Sequence, residues 1–180
     1  MAAELWLWRH PRPQGAAGRC IGRTDLPVDP RRAKRLAHHI RRAARRHGLP
    51  RVVWTSPLRR CADVGRWLAR WGWLHQVDGR LLELDFGRWD GQPWAAIGHA
   101  EVAAWEADFV RHAPGGGEAL LVLVARCRAF IAAQPAAPLL VVAHAGWMQA
   151  CTTADPLAWQ AASWPPAPAY ASLQRIRPPA

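Results

Sequence analysis

The stretch Leu5-Trp6-Leu7-Trp8-Arg9-His10-Pro11 decides how this chain is read: an apolar run stops abruptly at an arginine and a histidine. A run this short, bounded by polar and Pro-rich sequence, predicts a buried strand. Arg9 and His10 then sit where the chain leaves the sheet, which is where open α/β sheets bind their ligands.

Two later runs repeat the pattern. Arg51-Val52-Val53-Trp54 predicts a second strand, and Thr55-Ser56-Pro57 a helix start, with a hydroxyl cap and proline at the first helical position. That helix is expected to run through Leu58, Cys61, Val64 and Leu68 to Trp71, ended by Gly72, with Arg59 and Arg60 in its first turn. Leu139-Leu140-Val141-Val142-Ala143 predicts a third strand, ending at His144-Ala145-Gly146. Strands that alternate with helices pair in parallel through right-handed crossovers. Their carboxyl ends therefore share one edge, which gathers two histidines and at least two arginines.

Between the strands, residues 30–48 carry Ala33, Leu36, Ala37, Ile40 and Ala44 at helical spacing, between Pro30 and a terminal Gly48. Residues 118–133 predict an apolar helix, although 119–125 alone would also suit a buried strand. Residues 92–112 predict one or two short helices with Trp94, Ile97, Val102, Trp105 and Phe109 inward, a cap over the site that Pro114-Gly115-Gly116-Gly117 closes. The Trp-, Ala- and Pro-rich tail has no clear period, and residues 170–176 suit a last edge strand. The expected fold class is α/β: a doubly wound, mostly parallel sheet with helices on both faces and a small helical cap, one domain over 1–180.

The net charge of +11 is concentrated: residues 31–47 hold 8 of the 24 Lys and Arg and no acid, against 16 and 13 elsewhere. That is the solvated face of an amphipathic helix, so nucleic acid is not expected as a partner. The longest apolar run, 119–125, falls far short of the roughly 18 residues of a membrane span. Cys20, Cys61, Cys127 and Cys151 form no CxxC pair and, with no signal-like start, read as reduced thiols of a soluble, cytoplasmic protein.

Arginines and helix N-termini at one sheet edge suit a phosphoryl dianion. A neutral imidazole is a competent nucleophile at phosphorus. A general acid for the leaving oxygen would come from the 83–85 region, where partial alternation in Leu81-Leu82-Glu83-Leu84-Asp85-Phe86 puts Glu83 and Asp85 on one side of an extended segment.

These residues resemble the histidine phosphatase superfamily in its phosphoglycerate-mutase-like branch. Leu7-Trp8-Arg9-His10 is similar to its opening signature and Gly22-Arg23-Thr24-Asp25-Leu26-Pro27 to its following loop. Thr55-Ser56-Pro57-Leu58-Arg59-Arg60-Cys61 resembles its Ser-x-Leu-x-Arg segment, which selects Arg60 over Arg59. Leu82 to Gly91 resembles Glu-x-x-Phe-Gly-x-Trp-Glu-Gly, which selects Glu83. Pro114-Gly115-Gly116-Gly117-Glu118 and Val142-Ala143-His144-Ala145-Gly146 complete the order. The resemblance implies a phosphomonoesterase that needs no metal or other cofactor: His10 is phosphorylated, Arg9 and Arg60 grip the phosphoryl oxygens, and His144 stabilises the transferring group. Glu83 protonates the leaving group and then activates water. Arg23 and Thr24 join Arg9, Arg60 and His144 as substrate-binding residues.

Chain length and the Gly22 and Glu83 segments look most like α-ribazole phosphatases, which implies α-ribazole 5′-phosphate of cobalamin assembly as the small-molecule partner. The alternatives are a phosphoglycerate-mutase-like phosphotransferase and a non-catalytic relative that binds a phosphorylated ligand or polyanion. The family pattern is broken at Pro11, Pro13, Ala16 and Ala119, where glycine, polar residues and serine are usual.

Overall fold

In the computed structural model, which describes residues 4–135 and 137–177, five strands form one sheet in the order β3-β2-β4-β1-β5. β1 (Leu5–Arg9) and β2 (Val52–Thr55) flank β4 (Leu139–Ala143) in parallel, and β3 (Leu74–Val77) extends β2 in parallel. β5 (Leu173–Ile176) runs antiparallel along β1. The pleat sorts the apolar runs into two cores. Trp6, Trp8, Val53, Leu140 and Val142 face one layer of helices, and Leu5, Leu7, Leu139, Val141 and Ala143 face the other.

The first layer is α1 (Pro30–His47) and α2 (Arg59–Ala69). Asp29 caps α1 by accepting the Arg31 N–H at 2.8 Å, Pro30 opens it, and Gly48 closes it in the left-handed conformation at φ 62°. Its buried stripe is the predicted one: Ala33, Leu36, Ala37, Ile40 and Ala44. The second layer is α4 (Leu120–Ala132) and the short α5 (Ala145–Ala150). α3 (His99–Ala107), with a single helical turn at Trp94–Ala96, forms the cap.

Several expectations needed correction. α2 begins at Arg59, not at the hydroxyl: Ser56 accepts the Leu58 N–H at 3.3 Å in a bend before the helix, and Leu58 is the cap. Pro57 disfavours helical backbone at Ser56, so the bend precedes the helix. The 81–86 segment is not an extended strand but lies between single turns at Gly79–Leu81 and Gly87–Trp89. Asp85 turns the chain by accepting the Gly87 N–H at 2.8 Å, so Glu83 and Asp85 diverge. β3 carried no strand signal, because both Leu74 and Val77 are exposed and its polar sequence is held by backbone pairing with β2.

Candidate active site

The carboxyl ends of β1, β2 and β4 meet as anticipated. The His10 N–H bonds Ala143 O at 3.0 Å and the Ser56 N–H bonds Val142 O at 3.4 Å, extending both ladders by one residue toward the same edge. The His10 and His144 rings lie 5.1 Å apart, centroid to centroid. His10 is buried, and its Nδ1 sits 2.8 Å from the Pro11 carbonyl oxygen. A carbonyl can only accept, so Nδ1 carries the proton and Nε2 keeps a lone pair. Burial, then the charges of Arg60 and Arg9, hold the His10 imidazole well below its usual range, so at neutral pH it is uncharged.

Arg60 is buried beside it. Its Nε donates to His144 Nδ1 at 3.2 Å, Nη1 donates to Thr24 O at 2.7 Å, and Nη2 donates to Gly22 O. A second N–H remains on each terminal nitrogen to meet an anion. Because Arg60 can only donate, His144 Nδ1 is the acceptor and Nε2 carries the proton. Burial, Arg60 and His10 keep the His144 imidazole uncharged too. His144 is wholly buried, packed against the Cys61 thiol, and is not on the cavity wall.

Glu83 lines the same cavity. Its carboxylate accepts the backbone N–H groups of Leu84 at 3.0 Å, Gly146 at 3.0 Å and Trp147 at 3.2 Å. A Cβ at Gly146 would stand 2.6 Å from Glu83 Oε1, so the close approach needs glycine. Behind Glu83, Arg126 grips Glu118 with Nε at 2.9 Å and Nη2 at 2.7 Å, and it donates to the carbonyls of Arg80, Leu82 and Glu83. The loop that presents the carboxylate is thereby pinned.

Arg23 and Thr24 do not reach the cavity. Arg23 pairs with Asp85 at 3.1 Å and Glu118 at 3.4 Å, and the Thr24 hydroxyl donates to Asp90 at 2.8 Å. Available carboxylates draw both side chains away, and only the carbonyls of Gly22 and Thr24 serve the site, as seats for Arg60. Asp90, to which the sequence reading gave no role, organises this loop: it accepts the N–H groups of Gly22, Arg23 and Thr24 as well as that hydroxyl. The available signal was its place at the second acidic position of the Glu-x-x-Phe-Gly-x-Trp-Glu-Gly resemblance.

The cavity over these residues measures about 510 Å³. Arg9, His10, Arg60 and Glu83 form its charged end, and Pro13 and Ala16 line its wall. Elsewhere it is strongly aromatic, with Phe86, Trp94, Trp105, Phe109, Trp164 and Tyr170. Trp164 comes from the aperiodic tail, and Tyr170, expected to open the last edge strand, lies in the turn before β5, which starts at Leu173; neither carried a sequence signal for the cavity. Among the described residues, no group of three or more His, Cys, Asp or Glu side chains is placed to hold a metal ion, and no helix is long and apolar enough to cross a membrane.

The family model described as histidine phosphatase superfamily (branch 1) matches residues 5–178. A mycobacterial glucosyl-3-phosphoglycerate phosphatase shares the fold at a TM-score of 0.69 and 28% identity, over 83% of this chain and 77% of its own. Its complex with VO3 matches at a TM-score of 0.67 and 30% identity, over 83% and 79%. The protein TTHB049 of Thermus thermophilus matches at 0.64 and 28%, over 82% of each chain. No protein with a curated description matches.

Proposed function

The chain belongs to the histidine phosphatase superfamily (branch 1), and on that premise we propose that it is a phosphomonoesterase that needs no metal and works through a phosphohistidine at His10. One observation carries the reading: an uncharged His10, its Nδ1 proton engaged by the Pro11 carbonyl, shares the charged end of the cavity with two arginines. The lone pair on Nε2 attacks phosphorus, and the bond to the leaving oxygen breaks as that oxygen takes a proton by way of Glu83. Water then attacks the phosphohistidine, the Glu83 carboxylate takes the water proton, and phosphate leaves with His10 restored. Arg9 and Arg60 offset the charge that spreads over the transferring oxygens. His144 acts through Arg60, whose Nε–H it accepts.

The aromatic lining favours a phosphoester whose leaving group carries a flat ring, although Arg19 also lines the cavity and gives a carboxylate a cation to meet. α-Ribazole 5′-phosphate satisfies that chemistry and is the substrate we propose. The direct test is hydrolysis of p-nitrophenyl phosphate with EDTA present: His10→Ala is expected to abolish turnover, and undiminished activity in that variant would sink the reading. A screen of phosphorylated metabolites that includes α-ribazole 5′-phosphate and 3-phosphoglycerate tests the substrate. Oxygen from labelled water in the released phosphate argues against a mutase.

A further inference from the structure

We infer that Tyr170 is a positioning residue for the reaction, latching Arg9 in the pose that meets the phosphoryl group. The inference rests on the phosphatase reading but concerns a residue and a segment that reading does not use. Arg9 is the last residue of β1, with a long side chain that would otherwise be free to sweep the cavity mouth. The tail holds it at every level. In the backbone, the Arg9 N–H donates to Ser172 O at 3.1 Å, while the Ala171 N–H is shared between Arg9 O at 3.1 Å and His10 O at 3.3 Å. In the side chain, Arg9 Nη1 donates to Pro168 O at 2.5 Å, and the guanidinium carbon lies 3.8 Å from the centre of the Tyr170 ring.

The same ring packs against His10 at 5.6 Å, centroid to centroid, and lines the cavity. One aromatic face thus sets where the clamp lies and covers one side of the proposed nucleophile. The turn that delivers Tyr170 is strained. Ala171 is the only non-glycine residue with positive φ among the described residues, at 60°, a conformation that L-residues avoid. Such an outlier persists where its surroundings over-determine it, and here they do so through the shared N–H onto Arg9 and His10. No hydrogen bond of the Tyr170 hydroxyl is found among the described residues, so the face of the ring, and not its oxygen, is the working part.

The test is a set of variants assayed with p-nitrophenyl phosphate. Tyr170→Ala is expected to lower kcat/KM about 10- to 30-fold, the scale of a desolvated cation–π contact. Tyr170→Phe is expected to stay within about 2-fold of the parent, because the face is retained. In an Arg9→Ala background, Tyr170→Ala should add less than about 2-fold, since residues that act as one unit are not additive. A full additional loss in that background, or a Phe variant as impaired as the Ala variant, overturns the inference. Tyr170→Leu, which keeps apolar bulk without a π face, serves if the Ala variant fails to fold, with the same loss expected. Failure of the phosphatase reading shows separately, as absent turnover in the parent protein. The latch is then read in orthovanadate binding followed by tryptophan fluorescence, where Tyr170→Ala weakens binding if the inference holds and leaves it unchanged if it does not.

Discussion

At the residue scale the site depends on single atoms whose roles follow from their partners. Pro11 breaks the family pattern, yet what His10 takes from that position is a backbone carbonyl, which proline supplies as well as glycine does. Gly146 is less tolerant, because a methyl group there meets Glu83. Gly146→Ala is expected to lower kcat about 10- to 100-fold with the fold retained, the scale of a 1 Å misplacement of a catalytic group; circular dichroism with an activity assay checks it. His10 and His144 carry a second consequence. Both are buried with imidazoles held below their ordinary values, so the unfolded chain binds more protons than the folded one. The stability they confer is complete above the unfolded value of about 6.5 and is lost as pH falls below it, at about 1.4 kcal/mol per pH unit for each group. Urea unfolding is expected to show a loss of roughly 2 kcal/mol or more between pH 7.5 and 5.5, and a flat profile would contradict the buried, uncharged pair.

At the element scale, two loops rather than helices or strands set the pose of Arg60 and Glu83. The 22–24 loop seats Arg60 with its carbonyls and is itself held by Asp90. Asp90→Ala strands that loop's donors and should cost about 2–4 kcal/mol of stability. It should also reduce activity through Arg60, and chemical denaturation beside kcat/KM measures both. The 82–85 loop presents Glu83 and is held by Arg126 and Glu118. Neither device was legible by periodicity, because each hydrogen-bond partner comes from a distant part of the chain. The helices were legible: α1 showed its stripe, its Pro30 start and its Gly48 stop in local sequence, and α4 its apolar run. The start of α2 and the 81–86 segment went otherwise because proline and Asx chemistry overrode the pattern.

Across the whole molecule the charge is lopsided. The eight Lys and Arg of residues 31–47 make no ion pair with a carboxylate among the described residues, whereas arginines near the site are bound to acids or carbonyls. Such a face attracts polyanions without reading them. Binding to duplex DNA is expected to disappear by moderate salt and to be equal in His10→Ala, as counterion release requires; salt-resistant binding in an electrophoretic or anisotropy titration would instead mark a specific site.

The sequence by itself determined the strands β1, β2 and β4, the helices between them, and the arrival of Arg9-His10, the Arg59-Arg60 pair and His144 at one edge. Those features follow from local periodicity and from the handedness of parallel crossovers, both written in contiguous residues. Only the tertiary structure decided that Arg23 and Thr24 turn away from the cavity, that Asp90 holds their loop, and that the tail brings Trp164 and Tyr170 to the cavity wall. Each of these depends on which partner a polar or aromatic side chain finds across more than 60 residues of chain, as from Thr24 to Asp90 or from Arg9 to Pro168. Side-chain hydrogen bonds and aromatic contacts leave no period in the sequence, so their pairing exists only once the sheet has brought the loops together.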